Sequence, residues 1–128
     1  MGKYIILDRD GVLVKDTGYV YKTEDLELMP GAVEGLKILK DAGYKFIVIS
    51  NQAGIARGFY TKNDAEKFND QLKSILASQG VVLEKIYFCE HHPKINGPCS
   101  CRKPATGLAL KAAREFNINL EDVYFVGD

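Results

Sequence analysis

Short apolar runs alternate with longer amphipathic segments along the whole chain. The runs have the length and composition of buried β-strands, and they cover residues 4–7, 46–49, 86–88 and 123–126. Apolar residues recur at helical spacing in the segments between them, at 33–42, 65–76 and 108–116. Strands that alternate with helices of this length favour right-handed βαβ crossovers and a mainly parallel sheet.

Turn-forming residues set the predicted ends of the helices. Pro30 and the glycine after it predict the start of the first helix, and Gly43 predicts its end. Thr61 is a candidate cap for the second helix, with Asp64 as a weak capping-box partner, and Gly80 ends that helix. We interpret the apolar stripe of the second helix as core packing and assign it no chemistry.

Polar side chains follow every predicted strand, and in a parallel sheet these positions meet at one edge. They are Asp8 and Asp10 after the first strand, Ser50 and Asn51 after the second, Cys89 after the third and Asp128 after the fourth. A glycine at position 11 allows the sharp turn that the first pair requires. The sequence therefore predicts a functional crevice at the carboxyl edge of the sheet, although a polar strand end alone is ordinary.

Composition narrows the classes of partner. Lys plus Arg and Asp plus Glu number 17 each in 128 residues, so the net charge is zero. Without a basic field, we predict neither nucleic acid nor a membrane as partner. We expect a single domain, 1–128, with no signal peptide and a cytoplasmic location, in which the three cysteines would be reduced.

The motifs resemble those of the haloacid dehalogenase superfamily of phosphatases. Asp8-Arg9-Asp10-Gly11 after an apolar strand is similar to the first motif of that superfamily, and Ser50 to the second. Lys103 is similar to the third motif, and Gly127-Asp128 to the start of the fourth. Taken alone, Ser50 to Gln52 is typical of a turn or helix cap, and Arg102 with Lys103 of a solvated pair.

The resemblance implies roles for these residues. Asp8 would attack phosphorus and form an aspartyl phosphate, and Asp10 would act as general acid and then general base. Ser50 and Lys103 would hold the transferring phosphoryl group. Mg²⁺ would be bound by the Asp8 carboxylate, the Asp10 main-chain carbonyl and Asp128.

Within the superfamily the resemblance narrows to the capless branch that acts on heptose bisphosphate or histidinol phosphate. It implies a Rossmann-like three-layer α/β sandwich without a cap domain, whose loops read a small phosphorylated sugar. Candidate substrate contacts are Asp16 and Tyr19 for sugar hydroxyls, Arg57 and Arg102 for a second phosphate, and Asn51 and Gln52 near the phosphoryl group. A heptose bisphosphate 7-phosphatase is our first expectation, and a histidinol-phosphate or other small-molecule phosphatase is the second. A zinc-stabilised module that binds phosphorylated ligands without turnover is the alternative of another class.

All three cysteines and both histidines lie within residues 89–101, where little apolar content is available to order a loop. A structural Zn²⁺ with three cysteines and one histidine would order it. The resemblance gives the ligands as Cys89, His91, Cys99 and Cys101, with His92 as the competing ligand. The other interpretation is a disulfide that leaves one cysteine free.

The resemblance also implies a remainder after Asp128. The fourth motif of the superfamily is normally followed by a further helix and strand, so we expect that this chain lacks a C-terminal part and that its fourth strand has an uncovered edge. We expect the longer enzyme to be monomeric, and the 128-residue chain to bind Mg²⁺ weakly, to turn over poorly and to self-associate.

Overall fold

The computed structural model describes residues 3–18, 20–90 and 107–127. The strands are β1 (Lys3–Leu7), β2 (Tyr44–Asn51), β3 (Leu83–Cys89) and β4 (Tyr124–Val126). The helices are α1 (Ala32–Asp41), α2 (Lys62–Ser78) and α3 (Gly107–Phe116), and short 3₁₀ helices cover Thr23–Asp25 and Leu120–Asp122. The strands form one sheet in the order β3-β2-β1-β4, and every neighbouring pair is parallel. The predicted α/β architecture with a parallel sheet is confirmed.

Helix starts follow the predicted signals closely. Gly31 precedes α1 with a φ of 81°, a left-handed conformation that a glycine adopts without strain. Thr61 accepts a hydrogen bond from the Asp64 amide at 3.1 Å, and the Asp64 carboxylate accepts one from the Thr61 amide at 2.9 Å. This reciprocal pair satisfies two of the amides that have no partner within the helix. The predicted capping box is therefore confirmed.

Two separate apolar clusters cover the two faces of the sheet, because successive strand residues point to opposite sides. The first contains Phe46 and Val48 of β2 and packs under α1 and α2, whose buried members are Leu36, Phe68, Leu72 and Leu76. The second contains Ile47 and Ile49 of the same strand and packs under α3 through Leu108 and Ala112. The order of layers is thus helices, sheet and helix, as the resemblance implied.

A polar cluster ties β3 to α3. The Tyr87 hydroxyl donates to the Glu115 carboxylate, which also pairs with Lys85 at 3.4 Å. Burial and this hydrogen bond raise the pKa of the Tyr87 phenol. The same hydrogen bond, followed by Lys85, lowers the pKa of Glu115, while burial opposes that shift.

The chain turns sharply after β1. Gly11 has a φ of 84°, so the predicted glycine turn is confirmed. Val14 then forms isolated bridges with Asp10 and with Leu28, which fold the loop that follows β1 back over the strand end. In the part of the chain that the structure describes, no helix combines the length and apolar character needed to cross a bilayer.

Candidate active site

The predicted catalytic carboxylates lie at the carboxyl edge of β1. Asp8 follows the last residue of the strand, and its amide donates to the carbonyl oxygen of Val126 in β4 at 2.9 Å. Gly127 comes next in the chain and passes so close that a Cβ there would lie 2.7 Å from Oδ2 of Asp8. The backbone after β4 therefore has room beside the Asp8 carboxylate only because residue 127 is a glycine.

A buried arginine holds the second carboxylate. Arg9 is 1% exposed, and its Nε and Nη2 atoms donate to Oδ1 and Oδ2 of Asp10 at 2.8 and 3.0 Å. This bidentate pair fixes the orientation of the Asp10 carboxylate. Because one partner is fully buried and the other is partly exposed, the pair is shielded from solvent on the arginine side only.

Three further contacts satisfy and hold the Arg9 guanidinium. Its Nη1 donates to Oδ1 of Asn69 in α2 at 3.1 Å, and its Nη2 donates to the Val20 carbonyl at 3.1 Å. Its Cζ lies 4.5 Å from the centroid of the Phe68 ring, a cation–π distance. The guanidinium thus joins α2, the loop after β1 and the Asp10 carboxylate. We name Arg9, Asp10 and Asn69 the arginine anchor.

A second buried network lies at the end of β2. Ser50 and Gln52 are 3% and 2% exposed, and Nε2 of Gln52 lies 2.6 Å from Oγ of Ser50. The Tyr60 hydroxyl donates to Oε1 of Gln52 at 2.6 Å. Since both ends of the Gln52 amide contact protein atoms, its side chain is built into the site wall. We name Ser50, Gln52 and Tyr60 the serine relay.

The described candidate substrate residues differ in burial. Asn51 is partly exposed at the end of β2, beside the serine relay. Arg57 is exposed on the loop that leads from β2 to α2, and Asp16 is exposed on the loop after β1. Oδ1 of Asp16 accepts a hydrogen bond from the Gly18 amide at 3.1 Å, which closes a local turn and orients the carboxylate. The roles assigned to these residues stay predictions.

Several predicted site residues lie outside the described residues. They are Tyr19, His91, Cys99, Cys101, Arg102, Lys103 and Asp128, with His92 as the competing zinc ligand. Cys89 is described: it is 1% exposed at the end of β3 and is disulfide-bonded, so the expectation of a reduced thiol is wrong for this residue in the structure. Across residues 3–18, 20–90 and 107–127, no group of three or more His, Cys, Asp or Glu side chains is arranged to hold a metal ion.

Sequence reasoning missed the residues that support the predicted ones. Arg9, Asn69 and Tyr60 were given no role, yet each contacts a predicted site residue or its partner. A signal for Asn69 exists, because it falls on the same helical face as Ala65, Phe68 and Leu72 and is buried with them. A buried amide on an apolar face needs a partner, so Asn69 indicated polar chemistry beneath α2.

Comparisons with known proteins agree with this geometry. A family model described as polynucleotide kinase 3 phosphatase matches residues 3–128. A D-glycero-beta-D-manno-heptose-1,7-bisphosphate 7-phosphatase from Helicobacter pylori is 46% identical over 98% of this chain and 72% of its own length. The enzyme of that name from Pasteurella multocida is 39% identical over 100% of this chain and 72% of its own length.

A solved structure supports the same assignment. The D,D-heptose 1.7-bisphosphate phosphatase from B. bronchiseptica, complexed with magnesium and phosphate, superposes with a TM-score of 0.89 at 34% identity. The match covers 98% of this chain and 70% of that one. The resemblance to haloacid dehalogenase phosphatases is confirmed, and the chain belongs to the family described as polynucleotide kinase 3 phosphatase.

Proposed function

We propose that this chain hydrolyses a phosphomonoester of a heptose 1,7-bisphosphate, at the 7-position, through an aspartyl phosphate. The observation that carries the proposal is the meeting of Asp8, Asp10 and Ser50 at one edge of the sheet, beside Gly127. The relatives' substrate supplies the sugar. Binding alone needs no nucleophile, so a pair of acids one residue apart supports turnover.

The proposed reaction divides between the two carboxylates. An Asp8 oxygen attacks phosphorus and the ester P–O bond breaks. Asp10, which in this step carries a proton on a lone pair that does not face Arg9, gives that proton to the leaving sugar oxygen. A water molecule then gives a proton to Asp10 and attacks the aspartyl phosphate, which releases phosphate and restores the Asp8 carboxylate. Arg9 occupies one side of the Asp10 carboxylate and leaves its other lone pairs for these proton transfers.

The donor set at this edge suits Mg²⁺, a hard cation that prefers oxygen ligands. The Asp8 carboxylate and the Asp10 main-chain carbonyl would hold it, together with Asp128. A solved relative contains magnesium and phosphate, which supports the assignment. When bound, Mg²⁺ offsets negative charge between the carboxylate and the phosphoryl group. Ser50 and Lys103 would bind the phosphoryl oxygens, and Arg57 with Arg102 the second phosphate.

Zinc and the Cys89 disulfide are alternative states of the same thiol, since a thiolate ligand must be reduced. We assign zinc to the reduced protein, with Cys89, His91, Cys99 and Cys101 as ligands. The test is metal analysis after purification with and without a reductant, beside a count of free thiols. About one zinc per reduced chain is expected. Reduced protein that takes up no zinc from a buffered zinc solution would remove this assignment.

The function is tested with a panel of substrates. The panel contains heptose 1,7-bisphosphate, other sugar bisphosphates, histidinol phosphate and a generic aryl phosphate, each with Mg²⁺. We expect the highest kcat/KM for the heptose bisphosphate, with phosphate released from the 7-position. Histidinol phosphate as the best substrate would overturn the proposed sugar, and no turnover of any compound would indicate a binding module.

The nucleophile is tested by Asp8→Asn in the same panel. The change is nearly isosteric, so the fold should survive while turnover falls by about a thousandfold or more, because no aspartyl phosphate forms. Thermal unfolding of both proteins is the control for folding. Appreciable turnover by purified, folded Asp8→Asn protein would exclude the covalent route.

A further inference from the structure

The contacts of the serine relay assign one orientation to the Gln52 amide. The Gln52 amide offers a carbonyl oxygen that can only accept and a nitrogen that can only donate. Oε1 receives the Tyr60 hydrogen at 2.6 Å, so Nε2 is left to face Ser50 Oγ, also at 2.6 Å. The Ser50 oxygen is therefore an acceptor in this contact, and its own hydrogen points to a different partner.

The rest of the relay is held firmly. The main-chain N–H of Gln52 donates to the Cys89 carbonyl at 2.7 Å, which continues the pairing of β2 with β3. Tyr60 is 6% exposed, and its ring stacks on Tyr21 with centroids 4.9 Å apart and planes 10° apart. The Tyr60 hydroxyl thus has a fixed position from which to orient the Gln52 amide.

We propose that Gln52 and Tyr60 are positioning residues that make the Ser50 hydroxyl a hydrogen-bond donor toward a phosphoryl oxygen. Phosphoryl oxygens accept hydrogen bonds, so a serine serves them only if its hydrogen is available. The inference rests on the proposed function, in which Ser50 binds the transferring group. It adds that the Tyr60 hydroxyl selects the useful orientation of the Ser50 O–H.

The reversed amide orientation shows why the selection matters. If Oε1 of Gln52 faced Ser50, it would accept the serine hydrogen and leave none for phosphate. In that reversed arrangement the Tyr60 hydroxyl would have to accept from Nε2. A phenol is far more acidic than a serine hydroxyl, so it is the better donor and the weaker acceptor, and Tyr60 favours the described orientation. Without the Tyr60 hydroxyl this preference is lost. Removing that hydroxyl should therefore weaken phosphate binding through Ser50, although Tyr60 itself does not contact the phosphate.

The test is calorimetric titration of the 128-residue protein with inorganic phosphate and Mg²⁺. Tyr60→Phe keeps the ring stacked on Tyr21 and removes only the hydroxyl. We expect it to bind phosphate about fivefold to tenfold more weakly, the loss typical of one hydrogen bond. Ser50→Ala should weaken binding by about tenfold to a hundredfold, because it removes a hydrogen bond to a charged acceptor.

The double variant separates positioning from general damage. In the Ser50→Ala background, Tyr60→Phe should change phosphate affinity by less than about twofold, since the orientation of an absent hydroxyl cannot matter. Gln52→Met removes both relay contacts at similar volume. It should weaken phosphate binding in the wild-type background and change it little in the Ser50→Ala background. Tyr44→Phe is the matched control, because it makes the same change at the opposite end of β2. It should bind phosphate as the wild type does.

Each outcome bears on one of the two proposals. If Tyr60→Phe weakened phosphate binding equally in the wild-type and Ser50→Ala backgrounds, or in neither, the proposed positioning role of the relay would be wrong. If Tyr60→Phe unfolds, the Gln52→Met pair decides by the same criterion. Wild-type protein that binds phosphate but turns over no substrate would overturn the proposed function and leave the relay intact. Wild-type protein that binds no phosphate would overturn the relay as well.

Discussion

The arginine anchor and the serine relay are both buried beneath the candidate active site, but they are built differently. The anchor contains an ionised pair and joins residues 60 positions apart, Arg9 and Asn69. The relay is neutral, and its members lie within eight residues of their partners. A buried charge is costly to leave unpaired, whereas a neutral hydroxyl or amide costs less. We therefore expect the anchor to affect folding and the relay to affect mainly ligand binding.

The largest expected effect on stability comes from Arg9→Met. It removes the cation, leaves Asp10 without its partner, and takes the hydrogen-bond donor from Asn69 and from the Val20 carbonyl. Removal of one partner from a buried pair costs about 3 to 5 kcal/mol, and the partly exposed Asp10 favours the lower figure. Denaturant unfolding, followed by circular dichroism, measures the change.

The matched control for the anchor is the pair of changes Arg9→Met and Asp10→Asn together. This protein no longer contains a lone carboxylate, so it should recover part of the lost stability while remaining inactive. If Arg9→Met lowered the free energy of unfolding no more than Tyr60→Phe does, the contrast between the anchor and the relay would be wrong.

An intermediate effect, on catalysis alone, is expected from Gly127→Ala. The new Cβ would meet Oδ2 of Asp8 at 2.7 Å, so the carboxylate or the backbone after β4 must move. A displacement of the reacting group by a few tenths of an ångström to one ångström lowers kcat by about tenfold to a hundredfold. The measurement is kcat with the best substrate of the panel.

The effect of Gly127→Ala should appear in kcat while the melting temperature changes little, because the site of the clash is at a strand end and not in the core. Gly58→Ala provides a comparison, since nothing lies within 4 Å of a Cβ there, although its φ of 78° adds backbone strain. Unchanged kcat in Gly127→Ala would show that the Asp8 carboxylate tolerates the displacement.

The smallest effect is expected from Tyr87→Phe, which breaks a polar contact that belongs to neither the anchor nor the relay. The variant should melt a few degrees lower, with kcat unchanged. The Tyr87 hydroxyl lowers the pKa of Glu115, so its contribution is present above the unfolded carboxyl pKa and is lost as the pH falls through the folded value.

The stabilising contribution of the Tyr87 hydroxyl should also be lost at high pH. The phenol pKa is raised in the folded protein, so the contribution of Tyr87 is fully present below its unfolded pKa and is lost as the pH rises through the folded pKa. The difference in melting temperature between wild type and Tyr87→Phe should therefore be greatest near neutral pH and should shrink toward both extremes. A difference that does not vary with pH would contradict the assigned hydrogen bond.

Local signals in the sequence predicted the elements well, because each depends on a few neighbouring residues. The capping box of Thr61 and Asp64 is an example, since both partners lie within one helical turn. The first three strands were predicted too short, and the fourth one residue too long. For example, β2 begins at Tyr44 and not at Phe46, because the ladder with Lys3 extends the strand beyond its apolar run. Pairing between strands is not visible in a single run of residues.

Site residues that belong to a sequence motif were predicted, and those that reach the site only through tertiary packing were missed. Asp8 and Asp10 follow directly from the end of a strand. Arg9 instead depends on the packing of α2 beside the loop after β1, which brings Asn69 to its guanidinium. No short sequence pattern states that partnership. The cysteine loop and the residues of the third motif lie outside the described residues, so their arrangement stays a prediction.

The pairing of β1 with β4 has a consequence for the order of folding during synthesis. β1 leaves the ribosome first, but the strand whose carbonyl receives the Asp8 amide is made last among the described elements. β1, β2 and β3 can pair earlier, since all three are synthesised before β4. Because non-local pairing is slow, the nucleophile should become fixed only in a late step of folding. A nascent chain arrested before Tyr124 should therefore contain a partial sheet and no competent phosphatase.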